Sequence, residues 1–288
     1  MKIITIFDRN EDFIEMQYKS IVKHVKGNYE YIVFNNAKTQ KQAEKIKACC
    51  DALKIKSVRI KVLFSWLKTP SQIAGIALNK AHRHIADIEG PFFKLDSDMF
   101  FVADVNLEQL FESNDLVYVP TYVPIKTVWS GLFGVNLKKV KFDFDYRPGL
   151  VPNTDTFGKS YYLIKDNKYS EKLLGMYNLI DVKDGIIETN LNGCCLMKFD
   201  KNGIIFKEND NFKNVNTLDL KNKYENIIEI MEKYNFPKPY NLDFMTLDDQ
   251  NFVLHFKSSN WCPWYTEEYV NSKKEAIKRL LKDSPSSN

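Results

Sequence analysis

The first half of the chain alternates short apolar runs with segments in which apolar residues recur every three or four positions. Short apolar runs favour buried strands, and the three- to four-residue period favours helices with one buried face. The last such helix carries a stripe that repeats every four residues, made of Ile73, Ala77, Ala81 and Ile85. The pattern predicts strand Ile3–Phe7, helix Asp12–His24, strand Tyr31–Phe34, helix Gln40–Leu53, strand Val58–Leu63, a helix from Thr69-Pro70 to about Ala86, and strand Phe92–Leu95.

This alternation predicts an α/β fold with a mostly parallel sheet covered by helices. In such sheets ligands bind beyond the carboxyl ends of the strands. Polar residues follow three of the predicted strands, namely Asp8, the pair Asn35 and Asn36, and the pair Asp96 and Asp98. We expect these side chains to share one edge of the sheet and to form a site there.

The second half is less regular and predicts a mixed arrangement of strands and helices. Phe142–Thr156 is rich in Asp and Pro and is interpreted as a loop. A basic amphipathic helix at Lys273–Lys282 is expected to pack on the core rather than on a membrane. The remaining elements are predicted at Leu116–Val123, Val128–Asn136, Gly158–Leu163, Ile186–Asn190, Cys194–Phe199, Gly203–Phe206, Leu220–Tyr234 and Phe252–Phe256.

Composition and charge narrow the possible partners. The 288 residues are 44% hydrophobic and 27% charged, which is typical of a folded domain with a substantial core. The formal net charge of +4 suits phosphorylated ligands but is too small to indicate nucleic acid by itself. The 5 cysteines show no Cys-x-x-Cys spacing and no even count, so neither a zinc site nor a secreted disulfide framework is expected.

Membrane and export signals are also not expected. The opening segment MKIITIFDRNED has one short apolar run that ends at Asp8, too short for a signal peptide. No later stretch has the length and apolarity of a transmembrane helix. The sequence therefore predicts a cytoplasmic protein with no transmembrane segment.

The segment PFFKLDSDMFF, Pro91–Phe101, carries the strongest chemical signal. Side chains alternate along a strand, so Asp96 and Asp98 are expected on one side and Ser97 on the other. Two adjacent carboxylates repel each other unless a cation compensates, and their oxygens suit Mn²⁺ or Mg²⁺ with phosphate oxygens as further ligands. The alternative is that the aspartates only end the strand and cap the next turn.

Two segments resemble nucleotide-sugar glycosyltransferases of the GT-A fold, and among them the family-2-type group. SQIAGIALNKAHRHIADIEGPFFKLDSDMFF is similar to that family's helix, turn and strand ending in Asp-x-Asp, and ITIFDRNEDFIEMQYKSI followed by YIVFNNA to its opening strands and helix. The resemblance implies one Rossmann-like GT-A domain. Its expected parts are a nucleotide-sugar-binding half at 1–140, an acceptor-binding half at 141–270, and a basic helix and tail at 271–288. The second half lacks the family's Glu-Asp pair followed by Gln-x-x-Arg-Trp.

The resemblance also implies roles for individual residues. Asp98 would bind the divalent ion, with Asp96 on the metal or the ribose. The residues implied in donor binding are Phe7, Asp8, Asn35, Asn36, Asn79, Asp96 and Ser97. Two alternatives stay open. Asn35-Asn36 is also an ordinary turn pair, and Asn79, which lies off the apolar stripe of its helix, could equally be a solvated surface residue.

The segment LHFKSSNWCPWY is similar to the place where several GT-A enzymes present a late metal ligand, which would be His255. A histidine in an apolar strand is also a common core residue. An inverting transfer needs a carboxylate base. The first candidate is Asp155, in PNTDTFGKSYYLI, and Asp249 with its neighbour Asp248 is the second. Asp155 could equally cap a helix.

These features predict a Mn²⁺- or Mg²⁺-dependent glycosyltransferase that uses a nucleotide-diphosphate sugar, with a UDP sugar as the first choice. The acceptor is expected to be a hydroxyl group on a glycan, a lipid-linked sugar, a protein or a modified DNA base. One alternative is transfer to modified DNA bases, and another is a non-catalytic nucleotide- or carbohydrate-binding module. A nucleotidyltransferase is disfavoured because the loop FDRNEDF contains no glycine.

Overall fold

The computed structural model describes residues 1–63, 67–86, 90–122, 125–148, 156–191, 195–200, 203–207, 217–248, 250–257 and 266–283. The chain forms two compact units. The first comprises Met1–Met99 and Val105–Leu174, and the second comprises Phe100–Asp104 and Gly175–Asn288. Each unit is built around its own sheet.

The helices are α1 (Asp12–His24), α2 (Gln40–Ala52), α3 (Pro70–Arg83), α4 (Leu107–Ser113), α5 (Tyr161–Ile164), α6 (Thr217–Lys233) and α7 (Glu267–Asp283). The strands are β1 (Lys2–Phe7), β2 (Val25–Lys26), β3 (Glu30–Asn35), β4 (Lys56–Arg59), β5 (Pro91–Leu95), β6 (Met99–Phe101), β7 (Val105–Asn106), β8 (Leu116–Thr121), β9 (Thr127–Asn136), β10 (Glu171–Leu173), β11 (Gly175–Lys183), β12 (Ile186–Leu191), β13 (Cys195–Asp200), β14 (Gly203–Lys207), β15 (Leu242–Leu247) and β16 (Gln250–His255).

The first unit contains the predicted α/β architecture. Its described strands form a sheet in the order β10-β8-β9-β5-β1-β3-β4. The neighbours β5, β1, β3 and β4 are all parallel, whereas β9 runs antiparallel to β5 and β8. Right-handed crossovers through helices are the usual way to join parallel neighbours. The prediction of a mainly parallel sheet flanked by helices is therefore confirmed.

Helix α3 shows why the sequence folds in this way. Thr69 caps its first turn, since its hydroxyl accepts a hydrogen bond from the Gln72 amide, and the Gln72 Oε1 accepts one from the Thr69 amide. Of the predicted stripe, Ala77, Ala81 and Ile85 are buried in the apolar core of the unit, and Ile73 packs against that core. Removing such apolar surface from water is the main force that holds the helix on the sheet.

Strand β4 differs from the prediction, because it covers Lys56–Arg59 rather than Val58–Leu63. The chain leaves the ladder after Arg59, and its backbone amides are then bonded differently. The Ile60 amide donates to the Asn35 carbonyl at 3.0 Å, and the Val62 amide donates to the Asn36 side chain at 2.9 Å. Ile60 and Val62 stay buried, so their apolar pattern resembled a strand.

The second unit is antiparallel between its paired strands β11 to β16. Its described strands lie in the order β14-β13-β12-β11-β15-β16-β6. Helix α7 buries Ala276, Ile277 and Leu280, which confirms that the basic helix packs on protein. Of the helices in the described ranges, none has the length and apolar character needed for a membrane span.

Candidate active site

The ends of three neighbouring strands place the predicted site residues of the first unit along one edge. Strand β1 is parallel to both β3 and β5, with Phe7 opposite Asn35 and Thr5 opposite Leu95. Asp8, Asn36 and Asp96 each follow directly on one of these strands. Because adjacent strands are about 4.8 Å apart, the ends of β3 and β5 are separated by about 10 Å. The three strand ends therefore lie next to one another along one edge of the sheet.

The two aspartates lie on a turn rather than on the strand, which corrects the alternation argument. Strand β5 ends at Leu95, and the Met99 amide donates a hydrogen bond to the Asp96 carbonyl at 3.2 Å. The Asp96 side chain is 42% exposed, whereas Asp98 is buried with 6% exposure. Ser97, between them, is partly buried. The two carboxylates therefore have different environments.

Gln17 of α1 holds this turn in place. Its Nε2 donates to the carbonyl oxygens of Asp96 at 2.8 Å and Met99 at 2.7 Å, and its Oε1 accepts from the Tyr31 hydroxyl at 2.6 Å. Gln17 is fully buried, and its bonds to Met99 and Tyr31 are shielded from water. The sequence pattern gives no direct sign of this role, beyond a polar residue on the inner face of a helix.

Lys94 is a second residue that the sequence interpretation missed. Its side chain is almost fully buried, its Nζ forms an ion pair with the Asp96 carboxylate, and it lies 3.3 Å from the Gly131 carbonyl. Lys94 is the only charged residue in the apolar strand PFFKL, immediately before the aspartates. A buried charge requires a partner, so this position could have been recognised from the sequence.

The donor atoms of the turn fit a divalent ion only together with a ligand. Among the described residues, no group of three or more His, Cys, Asp or Glu side chains is placed to hold a metal ion. Mg²⁺ and similar ions are commonly held by one or two carboxylates, with substrate phosphates and waters as the other ligands. Asp96 and Asp98 meet this requirement, although Lys94 already pairs with Asp96.

The other residues of this edge differ in exposure. Phe7, Asn35 and Asn36 are buried. The Asn35 Nδ2 donates to the Ala43 carbonyl at 2.8 Å, and the Asn36 Oδ1 accepts from the backbone of the chain after β4. Asp8, in contrast, has a side chain that is 41% exposed. Asp8 is therefore the accessible polar group at the end of β1, and the asparagines shape the loops around it.

Arg59 adds to this loop structure at the end of β4. Its guanidinium donates to the Asn35 carbonyl at 2.7 Å and also to the Ala37 carbonyl. The local sequence pattern gives no sign of this role.

Asn79 is not simply a solvated helix residue. Its Nδ2 donates to Asp145 Oδ1 at 3.1 Å, and its Oδ1 accepts from the Tyr146 amide at 2.9 Å. Asp145 in turn binds the guanidinium of Arg147 through both carboxylate oxygens and also pairs with Lys159. Hydrogen bonds from Arg147, Lys159 and Asn79 hold the pKa of Asp145 far below its usual value. Asn79 thus anchors the loop that follows β9.

His255 belongs to the second unit, at the end of β16. Its Nδ1 lies 2.8 Å from Asp243 Oδ2, and Lys257 Nζ lies 3.1 Å from the other oxygen of Asp243. Burial would raise the pKa of Asp243, but the charges of Lys257 and the contact with His255 lower it below its usual value. The imidazole is therefore oriented by a buried carboxylate. The two tryptophans of the segment LHFKSSNWCPWY, Trp261 and Trp264, lie outside the described residues.

Neither of the two predicted catalytic bases, Asp155 and Asp249, lies among the described residues. Asp248, the neighbour of Asp249, follows β15 with a φ of 47° in the tight turn where Leu247 pairs with Gln250. Asp residues tolerate this left-handed conformation, which is typical of hairpin turns. The length of β16, roughly 17 Å, separates this turn from His255, so Asp248 and His255 do not share a site.

No protein-family profile and no curated protein matches the chain. It is similar to the solved galactosyltransferase LgtC in complex with donor and acceptor sugar analogs, with 19% identity over 48% of this chain and 59% of that one and a TM-score of 0.35. It is also similar to the mannosyltransferase PcManGT from Pyrobaculum calidifontis in complex with GDP-Man and Mn²⁺, with 13% identity over 60% and 53% of the two chains and a TM-score of 0.42. The glycosyltransferase GlyE of Streptococcus pneumoniae TIGR4 aligns with 100% of this chain and 65% of its own, at 13% identity and a TM-score of 0.40. The chain thus spans less than two thirds of each of these proteins.

Proposed function

We propose that this protein is a glycosyltransferase that transfers a sugar from a nucleotide-diphosphate donor to a hydroxyl acceptor, with Mn²⁺ or Mg²⁺ as cofactor. The observation that supports this function best is the turn carrying Asp96 and Asp98, which lies beside the ends of β1 and β3. A UDP sugar is the first donor to test. Carboxylates at the carboxyl edge of a parallel sheet suit a ligand that combines a nucleoside with a diphosphate.

Several residues of the first unit would have distinct roles in donor binding. A bound divalent ion would stabilise the negative charge that develops on the departing diphosphate. Asp98 and Asp96 would hold that ion, and Lys94 and Gln17 fix the turn on which they lie. Asp8 is the exposed carboxylate that can accept a hydrogen bond from the ribose or the base. Phe7, Asn35 and Asn36 support the loops that border the nucleoside.

His255 is proposed as a further metal ligand. The hydrogen bond between its Nδ1 and the buried Asp243 would orient the ring, as carboxylates commonly do for histidine ligands. Asp155 is proposed as the base that takes the proton of the acceptor hydroxyl in an inverting transfer.

A donor screen tests the function. Purified protein is mixed with a panel of nucleotide sugars in Mn²⁺ or in EDTA, and thermal stability and nucleotide release are measured. The Asp98→Asn variant is expected to lose the Mn²⁺-dependent stabilisation. It should also release nucleotide at least ~100-fold more slowly, because losing one group that stabilises charge in the transition state typically lowers the rate by that factor. Asp51→Asn, at an exposed aspartate paired only with Lys47 among the described ion pairs, is the matched control and should behave as wild type.

Two results would contradict the proposal. Turnover by Asp98→Asn at the wild-type rate would remove the assigned ligand. Stabilisation of the wild type by a nucleotide sugar without any nucleotide release, with all acceptor classes supplied, would favour the non-catalytic binding module.

A further inference from the structure

A basic cavity of about 510 Å³ lies in the first unit, apart from the aspartate turn. Three cationic side chains line it, those of Lys68, Arg147 and Lys159. None of the described residues that line the cavity is acidic. Like charges close to one opening repel each other, which favours the binding of an anion there.

A partly buried carboxylate, that of Asp145, pairs with two of these cations. Asp145 accepts from Arg147 Nε at 2.9 Å and Nη2 at 2.7 Å, and it also pairs with Lys159. The Asp145 side chain is only 14% exposed and is further bonded by Asn79. One carboxylate thus holds two cations in place without neutralising both, so the cavity keeps an excess of positive charge. Fixed cations lose little side-chain entropy when a ligand binds.

The cavity opens at the same edge of the sheet as the aspartate turn. Lys68 ends the connection from β4 to α3, and β4 is parallel to β3. Connections that follow parallel strands lie at their carboxyl edge, where Asp8 and Asp96 are also found. The reciprocal bonds of Thr69 and Gln72 already cap the N-terminus of α3. The positive charge of the cavity is therefore ascribed to the cationic side chains and not to the end of the helix.

The remaining wall of the cavity is apolar and includes Leu67, Ile76 and Pro148. A free inorganic ion would not need such a wall, whereas a phosphate attached to a sugar or nucleoside would contact it. We propose that this cavity binds the phosphate group of a phosphorylated ligand, held by Lys68, Arg147 and Lys159. The proposal rests on the proposed function for the origin of that phosphate, which is either the diphosphate of the donor or a phosphate on the acceptor.

Binding of inorganic pyrophosphate in EDTA tests the cavity without any metal. Calorimetry is expected to show about tenfold weaker binding for Lys159→Gln and for Lys68→Gln, because each removes one charged hydrogen-bond donor. Lys138→Gln, at an exposed lysine elsewhere in the unit, should bind as wild type. Asp98→Asn should also bind as wild type, so a failure of the proposed transfer reaction would not be mistaken for a failure of this site.

The two sources of phosphate are then distinguished with UDP and glucose 6-phosphate as probes. If Lys159→Gln weakens UDP as much as pyrophosphate, the cavity takes the donor's diphosphate. If only glucose 6-phosphate is weakened, it takes a phosphate on the acceptor. Equal affinities for all variants that retain the wild-type circular dichroism spectrum, or no binding of any of these probes to the wild type, would overturn the proposal.

Discussion

The buried Gln17 side chain makes three hydrogen bonds, two to the main chain of the aspartate turn and one to Tyr31. The two bonds to the turn join residues that are 79 and 82 positions apart in the sequence. The aspartates themselves were predictable, because an apolar strand that ends in two acids is visible in the local pattern. Gln17 was not, since its role depends on which helix the fold brings beneath the turn.

Replacing Gln17 by leucine should loosen the turn. The Asp96 carbonyl keeps its bond from the Met99 amide, but the Met99 carbonyl and the Tyr31 hydroxyl each lose a hydrogen bond. Removing the partner of a buried polar group costs about 1–3 kcal/mol. Urea denaturation is expected to show this loss, together with weaker Mn²⁺-dependent binding of the donor. Lys19→Gln, at an exposed position of the same helix, is the control and should change neither quantity. Wild-type values of both quantities in the leucine variant would contradict the role assigned to Gln17.

At the scale of elements, helix α3 and the loop after β9 approach each other too closely for a side chain. A Cβ atom added at Gly75 would lie 2.5 Å from the Tyr146 carbonyl oxygen and 2.7 Å from Arg147 Cα. The loop at 142–148 therefore packs directly on the helix backbone, which places Arg147 at the basic cavity.

Gly75→Ala should destabilise the protein in spite of alanine's higher helix propensity. Alanine gains up to about 1 kcal/mol over glycine in a helix, but forcing backbone segments apart typically costs about 1–3 kcal/mol. Denaturant titration is expected to show a net loss of stability, and pyrophosphate should bind more weakly because Arg147 moves. Gly90→Ala is the matched control, since an added Cβ there meets no atom within 4 Å. An alanine variant at 75 as stable as the control would refute the close contact.

The periodicity of the sequence predicts most elements of the first unit, but it predicts fewer of those in the second unit. Strands β11 and β15 were not predicted. In β15, Asp243 and Thr246 are buried, whereas pattern reading treats such residues as surface positions. Asp243 tolerates burial because His255 and Lys257 lie across from it, and that pairing exists only after the sheet has formed.

At the scale of the whole molecule, the chain passes between the two units more than once. It enters the second unit at Phe100, returns at Val105 and leaves the first unit again after Leu174. Neither unit is a continuous stretch of sequence, and local patterns alone could not reveal this division. The functional division into halves at residue 140 stays a prediction.

The stability of the molecule should depend on pH through His82. Burial lowers the pKa of His82 to about 4, while its Nδ1 is hydrogen-bonded to the Tyr146 hydroxyl at 3.0 Å. Below pH ~6.5 the unfolded chain binds a proton that the folded protein does not take up until pH falls to about 4. Acid therefore favours unfolding. His82 leaves the free energy of unfolding unchanged above pH ~6.5, and between pH ~6.5 and about 4 it lowers that free energy by up to about 1.4 kcal/mol per pH unit.

The His82→Asn variant isolates this effect, because the asparagine Oδ1 can replace Nδ1 as a hydrogen-bond partner but does not titrate. The free energy of unfolding of both proteins is measured between pH 4 and pH 8. The variant is expected to be less stable at neutral pH and to lose less stability toward acid. Parallel pH profiles would show that His82 does not titrate as described.

Lys94, through its ion pair with Asp96, changes the net charge of the aspartate turn. With both aspartates ionised, the three side chains carry a formal charge of −1, where a bare aspartate pair would carry −2. A divalent cation would cancel the charge of the bare pair, but beside Lys94 it would leave one positive charge in excess. An incoming polyanion would then meet a cationic centre instead of an electroneutral one. Exchange of Lys94 for a neutral residue would remove that attraction and would also leave Asp96 without this ion-pair partner.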